Sequence, residues 1–105
     1  MNVQITVRKT VYQKSNFRAA GTGFSSEIKK EGYDSFFTGL HRNGLLTDEI
    51  DNAMKRLIGS LVGNEDTDAN VTIILPEGYA LTETLKQHYI DKLTVEPEIN
   101  SVVFA

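Results

Sequence analysis

Apolar residues recur at two different periods along this chain. Near the N-terminus they alternate with polar residues, and the alternating apolar positions are Val3, Ile5, Val7 and Val11. A period of two places successive side chains on opposite faces of a strand, so it predicts a half-buried strand from Val3 to Val11. A turn at Lys14–Asn16 then leads into a second predicted strand, Phe17–Ser26, and aromatic and β-branched residues predict a third, Tyr33–Leu40.

Downstream of a predicted loop at His41–Gly44, the apolar spacing becomes helical. The residues that carry this spacing are Ile50, Met54, Leu57, Ile58 and Leu61. Thr47 is the expected N-cap of this helix, because a threonine hydroxyl can accept a hydrogen bond from the first helical turn. Gly63–Asn64 is the expected C-cap.

The rest of the chain adds a strand, a helix and an apolar end. The apolar run Val71–Leu75 predicts a strand buried on both faces. Thr82 is placed to cap a second helix, and Val102–Phe104 is a closing strand or a docked tail. The predicted order is therefore a three-strand antiparallel meander followed by helix, strand and helix. That order is typical of an α+β fold with a mainly antiparallel sheet.

Length and composition restrict the class of protein. With 105 residues, 40% of them hydrophobic and 24% charged, the chain is predicted to form one globular domain over residues 1–105. Cysteine is absent, which excludes disulfides and cysteine-based zinc sites. The sequence shows neither a signal peptide nor an apolar run of membrane-spanning length, so we expect a cytoplasmic protein and no membrane partner.

The predicted order of elements, together with the segment FTGLHRNGLLTDEIDNAMKRLIG at Phe37–Gly59, resembles the ribonuclease H-like fold. The resemblance implies that Glu49, early in the first helix, stands at the place of a catalytic glutamate. It also implies metal-binding aspartates near the ends of the first and central strands. This chain has Val7–Thr10 (VRKT) and Pro76–Glu77 at those places instead. Since a lysine-arginine pair would repel a metal ion, the departures speak against the family's two-metal hydrolysis.

Basic and acidic residues are sorted into different halves of the chain. Residues 1–46 carry a formal charge of +4 and residues 47–105 a formal charge of −7, which the overall charge of −3 conceals. Aromatic residues lie among the cations of the first half. Cationic and aromatic side chains on one sheet can bind phosphates and stack on bases, although aromatics in a core with cations on a solvated face would give the same pattern. The predicted ligand-binding residues are Arg8, Lys9, Arg18, Phe24, His41 and Arg42.

Three functions remain open at this point. The preferred hypothesis is a non-catalytic binding protein, without cofactor, metal site or catalytic residues, whose cationic strand face engages a nucleotide or nucleic acid. Its size and type also suggest a viral or mobile-element accessory protein, and self-association through the apolar end or a sheet edge is expected. The alternatives are a ribonuclease H-like nuclease using Glu49, Glu77 and Asp34 on magnesium, and an inhibitor that acts on a host protein by contact alone.

One glycine pair adds a local expectation. Gly21 and Gly23 lie within the second predicted strand, where glycine usually marks a bulge or a close approach of two backbones. A phosphate-cradling loop is the alternative, because glycines allow backbone amides to approach an anion.

Overall fold

The computed structural model of the protein describes residues 1–17 and 19–105, and six strands and two helices form within them. In chain order they are β1 (Asn2–Tyr12), β2 (Gly21–Lys30), β3 (Phe36–Phe37), β4 (His41–Arg42), α1 (Leu46–Gly63), β5 (Ala69–Ile74), α2 (Glu83–Thr94) and β6 (Ile99–Phe104). The apolar end of the chain is thus a strand of the chain's own sheet.

The strands form one mixed sheet in the order β3-β2-β1-β5-β6, and β4 also pairs with β2. β2 runs antiparallel to β1, β3 and β4. β5 runs parallel to β1, and β6 runs parallel to β5. The predicted α+β fold with a mainly antiparallel sheet is confirmed, and the order of elements agrees, apart from the additional short strand β4, with the one that the ribonuclease H-like resemblance implies.

Both helices pack on the same face of this sheet. The core joins alternate residues of β1, β2 and β5 to the apolar stripes of α1 and α2. Tyr89 of α2 connects the layers, since its ring lies 6.5 Å from the Phe104 ring of β6 and its hydroxyl donates to the Thr47 carbonyl of α1. Within the part of the chain that the structure describes, neither helix is long and apolar enough to cross a membrane.

The opposite face of the sheet has no helix over it among the described residues. The side chains of β1 and β2 that point to this face are polar, and Gln4, Arg8 and Lys29 are exposed there. Since the helices cover only the other face, the residues of β5 alternate between buried and partly exposed. The prediction that this strand is buried on both faces was wrong, since only one face carries helices.

The structure corrects the limits of the second and third predicted strands. β2 begins at Gly21 and not at Phe17, and it continues to Lys30 beyond the predicted end at Ser26. The third predicted strand is reduced to Phe36–Phe37, and the next residue, Thr38, bonds to Ser26 of β2 and to Glu49. The predicted loop at His41 and Arg42 is instead the short strand β4.

The two helix starts differ in their caps. Thr82 caps α2 as predicted, its hydroxyl accepting from the Leu85 amide at 3.1 Å. The N-cap of α1 is Leu45 and not Thr47. A leucine side chain cannot accept a hydrogen bond, so no side chain of the described residues caps the amides of the first turn. The side-chain bond at the cap runs the other way, from the Leu45 amide to the Asp48 carboxylate at 3.3 Å. The predicted C-cap region is confirmed, since α1 ends at Gly63 with Asn64 as its cap.

Gly23 lies where two backbones approach each other, which is one of the two expectations for this glycine pair. A Cβ atom on Gly23 would lie 2.6 Å from the His41 carbonyl oxygen, and the β1–β2 register continues through this position without a bulge. The absence of a side chain is therefore what allows β4 to pair with β2.

Alanine at Gly23 is expected to destabilise the fold by about 1–3 kcal/mol, because the backbone of β4 must shift to admit the methyl group. Gly59 provides the matched control, since a Cβ atom there meets nothing within 4 Å and the residue lies inside α1. Gly59→Ala should stabilise the protein by about 0.5–1 kcal/mol. Urea unfolding of both variants measures the two effects, and a Gly23→Ala variant as stable as the parent contradicts the close approach.

Candidate functional site

The β1–β2 hairpin extends past the core at one end of the sheet. The buried residues of β1 end at Val7, and the four residues that follow, Arg8 to Val11, are all exposed. We call residues 8–22 the basic arm. It contains Arg8, Lys9, Lys14 and Arg18 and no acidic residue, since the first acid of the chain is Glu27. Arg18 lies outside the described residues.

The acidic loop after α1 lies at the other end of β1. The Met1 ammonium group donates to the Asp68 carbonyl, which places residues 65–68 beside the start of β1. β1 has eleven residues, and a strand rises about 3.3 Å per residue, so this loop lies roughly 20 Å from the start of the arm at Arg8 and roughly 30 Å from the end of β1 at Tyr12. The charge sorting seen in the sequence is therefore partly a separation along the sheet.

Strand register assigns the predicted ligand-binding residues to two faces. Residues directly opposite each other in an antiparallel pair share a face. Lys9 lies opposite Phe24 and Phe24 opposite His41, so these three share the helix-bearing face. The structure does not bring all the predicted residues together in one patch.

The open face carries Arg8 and Arg42, the two described arginines among the predicted ligand-binding residues. Arg42 lies opposite Gly23, and its guanidinium carbon is 5.3 Å from the centre of the Tyr12 ring. Arg8 Nη2 lies 2.8 Å from Glu27 Oε1, and 55% of the Arg8 side chain is exposed. An exposed ion pair of this kind is weak, so a phosphate can compete with Glu27 for the guanidinium.

On the helix-bearing face, Phe24 is a packing residue. Only 5% of it is exposed, and its ring meets the Tyr79 ring edge-on at a centroid distance of 5.5 Å. Lys9 Nζ lies 5.4 Å from the centre of the same Tyr79 ring. Sequence reasoning had no signal for Tyr79, because the loop after β5 brings it to the hairpin from a distant part of the chain. The arm has two aromatic side chains: Tyr12, which is half-buried beside Arg42, and Phe17, which is 97% exposed.

Glu49 is fully buried at the start of α1. Its Oε2 accepts hydrogen bonds from the hydroxyls of Ser26 and Thr38, each at 2.7 Å. Its Oε1 accepts from Asn52 Nδ2 at 3.4 Å and lies 3.3 Å from His41 Nδ1. The network connects α1 to β2, β4 and the segment after β3, so both carboxylate oxygens are engaged inside the protein.

This environment does not fit a two-metal site. Residues 1–17 and 19–105 include no group of three or more histidine, aspartate or glutamate side chains that could hold a metal ion. Glu77 and Asp34, the other carboxylates of the nuclease hypothesis, are exposed at separate places. Glu49 is best described as a structural carboxylate that orients its neighbours.

A second buried charge lies at the far end of β2. Lys30 is 2% exposed and donates to Asp66 Oδ2 at 2.9 Å, and the Tyr33 hydroxyl donates to Asp66 Oδ1 at 3.1 Å. The hydrogen bond from Lys30 holds the pKa of Asp66 below its usual range, while the hydrogen bond to Asp66 raises the pKa of Tyr33. This cluster joins β2 to the loop after α1 and is remote from the basic arm.

Comparison with known proteins gives a distant structural similarity. No family model and no curated protein matches the chain. A solved structure, described as the crystal structure of LC11-RNase H1 in complex with an RNA/DNA hybrid, is similar over 96% of this chain and 84% of that chain, at 20% identity and a TM-score of 0.40. A similarity at this level does not assign the chain to a family.

Proposed function

We propose that this protein is a non-catalytic binding protein whose basic arm engages the phosphate groups of a nucleic acid. The observation that carries the proposal is the arm itself. It extends past the core, and its fifteen residues carry four positive charges and no negative charge. Clustered lysine and arginine side chains neutralise phosphates and release counterions, which is the main source of affinity for nucleic acid.

The composition of the arm supports binding over a purely structural role. Val11 and Phe17 are exposed beside the cations, and they add nothing to the core from there. Exposed rings next to cations suit contact with bases, whose stacking contributes about 1–3 kcal/mol each. The alternative, in which the aromatic residues fill the core and only the cations face solvent, holds for Phe24, which is buried. It does not explain the exposure of Phe17.

The charge separation along the sheet also supports binding through the arm. Acidic residues around the loop at 65–68 repel a polyanion, while the arm attracts it. A protein with this distribution is steered so that the arm meets the ligand first, and the steering weakens as salt rises.

Removing charge from the arm is expected to weaken binding by at least tenfold. We would compare Lys9→Ala/Lys14→Ala with Lys55→Ala/Arg56→Ala, since both pairs are exposed and both variants lose two positive charges. Fluorescence anisotropy with a labelled 24-nucleotide DNA, single-stranded and as a duplex, measures the affinity, and thermal unfolding checks that each variant folds. The control pair lies on α1 and should change the affinity less than twofold.

Two results contradict the proposal. Equal losses in both variants mean that overall charge and not the arm sets the affinity. No binding of the parent protein to either DNA or to single-stranded and duplex RNA of the same sequence removes the nucleic-acid function and leaves the protein-contact inhibitor as the hypothesis to pursue.

A further inference from the structure

We infer that two copies of this protein pair through β6, so that their sheets join across a two-fold axis into one continuous sheet. The inference does not depend on the proposed function, because β5 separates β6 from β1 and the basic arm. It is carried by the backbone of β6, by its side chains and by the charges near its two ends.

β6 is an edge strand whose outer side is open. Its inner side pairs with β5, and no strand of the described residues pairs with its outer side. The Ala105 amide donates to the Ile73 carbonyl at 3.0 Å. Alternate residues of a strand direct their amide and carbonyl groups to the same side, so Val103 also faces β5. Val102 and Phe104 therefore direct their backbone groups outward, where a further strand can pair with them.

The side chains of β6 do not protect this edge. Proteins that stay monomeric commonly protect an edge strand with a lysine, a proline or a very short strand. At the other edge of the sheet, β3 and β4 have two residues each. β6 instead has six residues, Ile99–Phe104, without a charged residue or a proline, and Val103 is 54% exposed. The register shift against β5 lies near the start of β6, so Ser101–Phe104 remain regular.

A two-fold axis beside Val103 satisfies the outward backbone groups. In an antiparallel pair centred there, Val102 of each copy lies opposite Phe104 of the other, and each of these two pairs exchanges two hydrogen bonds. Val103 meets Val103 of the second copy at a position without hydrogen bonds, where the Cα atoms are about 4.5 Å apart. Both outer edges are used in this arrangement, so assembly through β6 stops at two copies.

A groove on the helix-bearing side of the edge can receive an apolar side chain of the second copy. It lies between α2 and β6, and its lining includes Ile90, Val102 and Phe104. Phe104 is partly exposed, although its ring lies 6.5 Å from the Tyr89 ring. In the two-fold arrangement, Phe104 of the second copy lies beside Val102 on this face. Both phenylalanines then lose solvent exposure, which favours association.

The charges near β6 favour an antiparallel over a parallel pair. Glu96 and Glu98 lie just before the strand, and Glu98 Oε2 is buried without a hydrogen-bond partner among the described residues. At the other end, Lys86 lies near Phe104 and forms an exposed ion pair with Glu83 at 3.4 Å. An antiparallel copy keeps the two acidic ends roughly 30 Å apart, at about 3.3 Å per residue. A parallel copy would place these acids side by side, where like charges repel.

The dimer leaves both basic arms free. β6 runs parallel to β5, and β5 runs parallel to β1, so the arm lies at the end of the sheet where β6 ends. Antiparallel pairing of β6 therefore points the two arms in opposite directions. Dimer formation and nucleic-acid binding involve different residues, and Lys9→Ala/Lys14→Ala should leave the dimer unchanged.

The first test is sedimentation velocity of the parent protein from about 5 to 300 µM. Pairing of one short strand gives an interface at the small, weak end of the range, so we expect a dimer with a dissociation constant of roughly 1–100 µM. Val103→Lys places like charges opposite each other and should weaken self-association at least tenfold. Val62→Lys is the matched control, because Val62 on α1 is 55% exposed, and it should leave the constant within twofold.

Cross-linking tests the register of the pair. The chain has no cysteine, so a single introduced cysteine reports on one position. Val103→Cys should form a covalent dimer on mild oxidation, because a Cα separation of about 4.5 Å is within the range that a disulfide spans. Val62→Cys, at an equally exposed position, should remain mostly monomeric under the same conditions.

Three results overturn the inference. A parent protein that stays monomeric at about 300 µM removes the dimer and leaves a strand of a different protein as the partner of β6. A dimer that Val103→Lys does not weaken, or cross-linking that is as fast through Val62→Cys as through Val103→Cys, removes the β6 interface. Circular dichroism checks that each variant folds, and the cysteine variants decide if Val103→Lys does not. None of these results bears on nucleic-acid binding by the arm.

Discussion

Glu49→Ala is expected to lower the free energy of unfolding by about 3–5 kcal/mol. Glu49 is fully buried, and its removal leaves the hydroxyls of Ser26 and Thr38 without their acceptor. Each buried polar group left unsatisfied costs about 1–3 kcal/mol, and the space vacated by the side chain adds a cavity cost. Because the network joins α1 to the sheet, the loss weakens the contact between the two layers.

The measurement is urea unfolding followed by circular dichroism. Glu49→Gln should cost about 1–2 kcal/mol, because the amide oxygen can still accept from both hydroxyls but without a negative charge. Glu83→Ala is the matched control, since that carboxylate is exposed at the start of α2 and its loss should change stability by less than about 0.5 kcal/mol. An unfolding free energy for Glu49→Ala within 1 kcal/mol of the parent refutes the structural role.

The second large effect is expected at the buried cluster of Lys30 and Asp66. Lys30→Ala should destabilise the protein by about 3 kcal/mol, because it leaves Asp66 without its cation and removes a long buried side chain. This destabilisation is at the low end of the range for breaking a buried ion pair. The reason is that 14% of the Asp66 side chain is exposed, so water can hydrate its carboxylate once Lys30 is removed. The Tyr33 ring, 4.0 Å from Lys30 Nζ, loses its cation contact as well.

Acid should weaken the same cluster. The pKa of Asp66 is lowered in the folded protein, chiefly by the hydrogen bond from Lys30. A lowered folded-state pKa gives stability that is complete above the unfolded value, about 3.9, and is lost as pH falls through the folded value. Urea unfolding of the parent at pH 7, 4 and 2.5 should therefore show a loss below pH 4.

Asp66→Asn should reduce this acid-dependent loss while lowering stability at pH 7. Lys29→Ala is the control for the loss of a lysine on the same strand, because Lys29 is exposed on the open face. A parent and an Asp66→Asn variant with the same pH profile would show that Asp66 does not contribute to the acid sensitivity.

Local patterns in the sequence were sufficient for the elements that a single periodicity defines. The alternation at Val3, Ile5 and Val7 predicts β1, and the helical spacing from Ile50 to Leu61 predicts α1. Thr82 and Asn64 mark helix ends because capping depends on residues a few positions apart. The order of these elements then restricts the sheet to an α+β arrangement.

The limits of β2 could not be derived in the same way. The sequence offers strand-forming residues from Phe17 onward, but pairing with β1 and β4 sets the start at Gly21. β3 and β4 contain two residues each, too few for any period to be recognised. Their existence depends on hydrogen bonds to β2, which is a partner distant in sequence.

The candidate site shows the same division. The sequence alone determined that the first 26 residues carry four positive side chains and no acid, because charge is a property of composition. Only the tertiary structure decided that Lys9 and Arg8 lie on opposite faces, that Phe24 is buried, and that Lys30 and Glu49 are structural. Burial and orientation depend on which distant segments pack together, and a linear pattern of residues does not specify those contacts.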